Sequence, residues 1–234
     1  MKTKFFLFFL GLLLNIPFCQ SQQINDSFFV INIKGAKIYE KPTFKSKTNH
    51  NISLGKSILV EKIIPTKEVF EISKNFSLKG SWIKPKGVDG YVFSSDFSMK
   101  KPNVFLKHER LKSINFRGES LRETKEKGAY ITADSESISI EYEYTFYPNA
   151  KETYYSLDGC FYEIVEYRNL TLNEVYHQMI SDTREGLESN KFYLLDFVSR
   201  SENEIIFQGQ LGVDEVYLRI KENGLFEVEI TSCT

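Results

Sequence analysis

Between Ile138 and Phe146 the chain alternates without a break. Ile138, Ile140, Tyr142, Tyr144 and Phe146 fall on one side, and Ser139, Glu141, Glu143 and Thr145 on the other. That period of two predicts a half-buried strand, with the two glutamates together on its wet face. After the Pro148-Asn149 turn signal, Thr153 to Leu157 and Cys160 to Tyr167 flank Asp158-Gly159, a favoured two-residue hairpin loop. This register sets Tyr155 opposite Tyr162 and Thr153 opposite Ile164. The period then changes. Leu172, Val175, Tyr176, Met179, Ile180, Thr183 and Leu187 recur at helical spacing. Thr171 with Glu174 three residues on makes a capping box, and Gly186 is the expected stop. Four strands follow, at Phe192 to Val198, Glu204 to Gln208, Glu215 to Lys221 and Leu225 to Ile230.

The last hairpin has a register that burial alone selects. A two-residue Asn223-Gly224 loop would set Ile220 against Glu227. A three-residue loop, Glu222 to Gly224, sets Ile220 against Phe226, Leu218 against Val228 and Val216 against Ile230. The second arrangement keeps apolar residues together, with Gly224 left-handed in a bulge. Residues 128–234 therefore read as an α+β unit, an antiparallel sheet of six or seven strands with one main helix on a face.

Residues 28–98 have another texture. Short β-rich runs are Phe28 to Ile33, Ala36 to Tyr39, Ile58 to Val60 and then Ile63-Ile64, Val69 to Ile72, Gly80 to Lys84 and Tyr91 to Phe93. Pro42, Gly55, Pro65 and Gly87 to Gly90 punctuate them. The order Ala36-Lys37-Ile38-Tyr39-Glu40-Lys41-Pro42-Thr43, Leu54-Gly55-Lys56-Ser57-Ile58-Leu59-Val60, Ser81-Trp82-Ile83-Lys84 and Asp89-Gly90-Tyr91-Val92, then Ser94-Ser95-Asp96-Phe97, resembles the bacterial SH3-like (SH3b) domain family. The resemblance implies a small β-barrel that binds cell-wall peptides or proteins, or that acts as a spacer. Tyr39 stands where the family favours Arg, and Tyr91 where it favours Trp. Tyr39, Trp82 and Tyr91 are the candidate ligand-binding residues, able to line one groove. The competing reading makes Trp82 core. The whole is mostly β: an N-terminal SH3-like small β-barrel over 22–98, a basic linker or irregular lead-in over 99–127, and the acidic α+β domain. Glu119 to Lys127 is expected to form one or two helical turns, and the two halves to part as folding units within 99–127.

The first 21 residues stand apart. Lys2 and Lys4 precede ten uncharged, largely apolar residues, Phe5 to Leu14, and Asn15 and Pro17 end the run. This is the plan of a secretory signal peptide cleaved after Ser21. The run is half the roughly 20 residues a spanning helix needs, so the mature chain is expected to hold no transmembrane span. Bulky Phe18 argues against a lipoprotein anchor on Cys19. The expected location is the periplasm or the exterior. Export leaves Cys160 and Cys233, either bridged in an oxidising compartment or buried as apolar thiols.

The net charge of −1 conceals a division. Residues 22–127 carry a net +10 and residues 128–234 a net −13. The basic half lacks the stacking platform that nucleic acid binding needs, so nucleic acid is not an expected partner. His108-Glu109 has no second His four residues on, so no zinc-protease motif is present, and no cofactor motif appears. His177 beside the helical stripe reads as a satisfied histidine, and no catalytic or metal residue is assigned. The expectation is an exported, non-enzymatic binding or positioning protein of the bacterial cell envelope, whose partner is an envelope protein or a cell-wall peptide. Two alternatives stay open. One is an envelope enzyme such as a wall hydrolase with an accessory SH3-like domain, its active site in the α+β domain; a narrower form of it is a cysteine hydrolase using Cys160 with His177. The other is an inhibitor or immunity-like protein acting through the acidic half.

Overall fold

The computed structural model describes residues 26–107, 111–132, 134–184, 195–209 and 212–233. The expected leader, His108, Gly186 and Leu187 lie outside these, as do the first residues of the strand expected from Phe192. Nine strands fill the first part: β1 Ser27–Val30, β2 Ala36–Tyr39, β3 Thr48–Ile52, β4 Ser57–Ile64, β5 Val69–Ser73, β6 Phe76–Lys79, β7 Trp82–Pro85, β8 Val92–Phe93 and β9 Phe97–Ser98. They form an open antiparallel sheet of order β8-β7-β4-β1-β9 and two hairpins, β2-β3 and β5-β6. Among the described residues no sheet closes on itself. The expected strands are there, but hydrogen bonding does not run round a barrel. The reason is local: β2 and β3 pair with each other, and only a single bridge, Tyr39 to Tyr91, ties them to the strand ends beside them.

The described residues of 99–127 are not helical. They contain β10 Asn103–Lys107, β11 Leu111–Asn115 and most of β12 Arg122–Ile131. The expected turns of helix over Glu119 to Lys127 are instead an edge strand, paired over its whole length with β13 Ser137–Phe146. Its charges alternate on a strand solvated on both faces, so no apolar period announces it. Lys125 meets Glu141 and Glu143 across the pair, which also blunts the edge against pairing with other chains. With β14 Ala150–Leu157, β15 Cys160–Tyr167, β16 Asp196–Arg200, β17 Glu204–Gln208, β18 Glu215–Ile220 and β19 Phe226–Cys233, β12 and β13 build an eight-stranded antiparallel sheet. Its order is β12-β13-β14-β15-β19-β18-β17-β16.

The sheet follows the expected registers. Tyr155 pairs with Tyr162 and Thr153 with Ile164. Ile220 pairs with Phe226, Leu218 with Val228 and Val216 with Ile230. The turn between β18 and β19 takes φ +61° at Asn223 and +73° at Gly224, the left-handed region the three-residue loop requires. Pairing of β15 with β19 sets Cys160 directly opposite Cys233, and the two form a disulfide.

Helix α1, Leu172–Thr183, opens on the expected box. Thr171 accepts from the Glu174 N–H, and the Glu174 carboxylate accepts from the Thr171 N–H at 2.7 Å. Val175, Tyr176, Met179 and Ile180 pack with Val165, Tyr167, Leu218, Phe226 and Val228 on one face of the large sheet. The same buried cluster takes in Ile31, Leu54, Phe76 and Leu78 from the first part of the chain and Ile114 and Phe116 from the basic segment. The helix is thus clad on several sides, and its polar residues need partners inside. Gln178 accepts from the Phe116 N–H at 2.8 Å and donates to the Ile114 carbonyl at 3.1 Å, while Ser181 accepts from the Ile114 N–H at 2.9 Å. These side chains serve β11 as a neighbouring strand would, satisfying buried backbone groups. Arg117 completes the seam, meeting Glu152 and Asp182 at 2.6 Å and Glu163 at 3.3 Å.

Candidate interaction surface

The three aromatics singled out in the sequence do come together. Tyr39 and Tyr91 exchange both backbone hydrogen bonds at 2.7 Å, and the Tyr39 and Trp82 rings meet edge-on, 5.1 Å between centroids. They do so as core. Trp82 is 1% exposed and Tyr39 7%. Phe44, on the loop between β2 and β3, sits 4.9 Å from Trp82 and 4.7 Å from Phe93, filling the space between them. The indole N–H donates to Glu68 at 2.7 Å, and Glu68 also accepts from Thr43 at 2.7 Å, so the loop bearing Phe44 is tied to the tryptophan. Only Tyr91 of the three keeps a half-buried face to solvent.

His177 is 3% exposed, and its Nε2 lies 3.0 Å from the Ser95 carbonyl. Burial lowers its pKa from 6.5 to about 4, so the ring is neutral and Nε2 carries the proton toward Ser95. Asp96, 4.0 Å away, accepts from Asn32 at 2.8 Å, and burial raises its pKa to about 6. His177 on the Ser95 carbonyl, Glu174 with Ser98, and Asn173 on the Lys79 carbonyl tie α1 to the turn before β9, to β9 itself and to the end of β6. His177 packs within the interior, and Cys160 is held in the disulfide. The thiol–imidazole pair of the hydrolase alternative is thereby removed.

The broad accessible surface is one the sequence hid. α1 occupies the face of the large sheet that carries Val165, Tyr167 and Val228. Strand parity sends Tyr130, Tyr142, Tyr144, Tyr155, Tyr162 and Tyr217 to the opposite face. The alternation of residues 138–146 is as expected, but its aromatic side points away from the helix. The rings cover one another instead. Tyr155 stacks on Tyr162 at 4.7 Å and lies 5.3 Å from Tyr142, which stacks on Tyr144 at 6.1 Å. Gly128 is part of this platform: a Cβ there would come within 2.7 Å of the Tyr142 ring, which lies over the glycine. Apart from Tyr155, 9% exposed at the centre, these tyrosines are half-buried.

Charges frame the rings. Arg122 lies over Phe146 at 4.3 Å, Lys151 over Tyr144 at 4.4 Å and Arg219 over Tyr217 at 4.8 Å. Further along, Glu204, Glu227 and Glu229 converge on Arg219 at 2.7, 3.0 and 2.5 Å, and Lys221 meets Glu227 at 3.0 Å. Burial and the Glu229 charge push the Tyr155 phenol up to about 12, so it stays a neutral donor. The hint available in the sequence was the choice of residue: tyrosine, rather than an aliphatic, fills positions 142, 144, 155, 162 and 217. Tyrosine tolerates a half-wet face because its ring buries area while its hydroxyl keeps water. Among the described residues no group of His, Cys, Asp and Glu is arranged to hold a metal ion, and no helix is long and apolar enough to cross a membrane. No family model, no curated protein and no solved structure matches the chain.

Proposed function

We propose that this is an exported, non-enzymatic binding protein of the bacterial cell envelope, and that it binds through the tyrosine face of its eight-stranded sheet. That open face is the observation that carries the reading. A half-wet platform of rigid aromatic side chains offers large contact area at low entropic cost. The leader and the Cys160–Cys233 bridge support an oxidising, non-cytoplasmic location, with the periplasm as its first candidate. Residues 28–98, in this reading an SH3-like unit, position the sheet through the core they share with α1. Tyr39 and Trp82 hold that unit together, and recognition by it is limited to what Tyr91 and the rim of the Phe44 loop can reach.

The test is retention of the mature protein on washed envelope fractions. Tyr142→Ser with Tyr144→Ser should release it while leaving its melting temperature within a few degrees, since both rings lie outside the common core. Unchanged retention in this variant, together with release by Tyr91→Ala, would move recognition to the first part of the chain.

A further inference from the structure

We propose that the tyrosine face takes a cationic polypeptide: a Lys/Arg-rich segment of a basic secreted or envelope protein, seated across β15, β19 and β18. This rests on the binding reading above and names the partner's chemistry.

Two independent features of the face point to cations. The first is that it already seats them. Arg122, Lys151 and Arg219 each lie within 5 Å of a ring centroid, at Phe146, Tyr144 and Tyr217. These three lie in one row across the sheet, and Tyr142, Tyr155 and Tyr162 form a parallel row further along the same strands, presenting the same electron-rich chemistry. The second is the charge left over. Three carboxylates, Glu204, Glu227 and Glu229, share Arg219, and Lys221 adds one contact, at Glu227. Glu215, hydrogen-bonded to the Tyr217 hydroxyl, belongs to the same face. The side chains of Glu227 and Glu229 are 15% and 19% exposed. Their charge therefore acts through a medium less polar than water and is screened less by salt than a fully exposed carboxylate. An incoming guanidinium or ammonium would complete this unbalanced cluster and stack beside Tyr155 and Tyr162. An acidic polypeptide would meet repulsion there. The wider field agrees in sign, since residues 128–234 carry a net −13, which would steer a basic partner toward this half.

The experiment uses the full mature chain and a fluorescein-labelled decapeptide of alternating Lys and Arg, with a Glu decapeptide and a chitin oligosaccharide as comparison probes. Polarisation is read at 20, 150 and 500 mM NaCl. The cationic peptide should bind, and weaken at least tenfold over that salt range. Glu227→Gln with Glu229→Gln should weaken it at least tenfold. Glu141→Gln with Glu143→Gln removes the same charge from the other face and should change it less than twofold. Lys221→Gln, a solvent-facing change that leaves the fold alone, should tighten binding two- to threefold, and so tests the idea even if the double glutamine variant misfolds. No binding at 20 mM salt overturns the proposal, as does an equal loss in both glutamine pairs, which marks a diffuse charge effect. Binding of the oligosaccharide alone, or self-association alone, overturns the cationic partner but leaves the tyrosine face as a binding surface, provided Tyr142→Ser with Tyr144→Ser abolishes it. Insensitivity of every interaction to the tyrosine pair removes both readings.

Discussion

Replacing Asp96 by Asn and, separately, His177 by Gln should tilt the pH dependence of stability in opposite directions. Both groups are buried, 5% and 3% exposed, at the contact between α1 and the turn before β9. Asp96 is faced by Asn32 and more distantly by Lys37, and its charge also acts on Tyr39 and Tyr176. Its folded pKa of about 6 lies above the ordinary 3.8, so between those values the native state holds a proton that the unfolded state has released. The Asp96 contribution is therefore fully present below pH 3.8 and is lost as pH rises to 6. His177 does the reverse. Its folded pKa of about 4 lies below 6.5, so the unfolded state binds the extra proton, and stability rises with pH across that interval. At about 1.36 kcal/mol per pH unit, each shift is worth about 3 kcal/mol in order of magnitude. The two nearly cancel between pH 4 and 6. Urea unfolding of the chain from Gln22 onward at pH 4.5 to 7 reads the effect as a difference from wild type, which removes the titration of other carboxylates. The stability of Asp96→Asn relative to wild type should climb with pH by a few kcal/mol, and that of His177→Gln should fall. Two slopes of the same sign, or two flat lines, would refute the neutral histidine.

Thiol titration of the denatured, oxidised chain from Gln22 onward should find no free thiol, and reduction of the Cys160–Cys233 bridge should cost about 2–5 kcal/mol. Trp82→Ala should destabilise by about 3–5 kcal/mol, because it empties the space among Tyr39, Phe44 and Phe93 and strands the Glu68 acceptor; a loss under 1 kcal/mol would contradict the packing. Trp82 is the single tryptophan and lies in the first part of the chain. Its fluorescence and the far-ultraviolet dichroism of the large sheet should report one coincident unfolding transition, because α1 joins both parts in one buried cluster. Separated midpoints would instead favour two folding units divided within residues 99–127.

Much of the second half was legible because each element there carries a local signal that burial does not override. Asp158-Gly159 fixes one hairpin, and the Thr171/Glu174 box starts the helix. The requirement that Val216, Leu218 and Ile220 face apolar partners leaves a single register for β18 and β19. Opposed registers of β15 and β19 then bring Cys160 to Cys233, a pairing that cysteine count and the expected export made one of two open outcomes. Six of the nine strands of the first part were likewise marked by β-rich runs and turn residues, as were the aromatics that meet at Tyr39, whereas β3, β6 and β9 were not. What escaped was everything set by contacts distant in the chain. Edge strand β12 has no apolar side to betray it, since its partner on one flank supplies all its pairing. Trp82 could be groove or core until Phe44 was placed against it. Period-two alternation states that a strand has two unlike faces, but not which one a helix will cover. Only the packing of α1 on Val165, Tyr167 and Val228 left the tyrosines of the opposite face open, because a layer can occupy one side of a sheet without local sequence on the other side recording it.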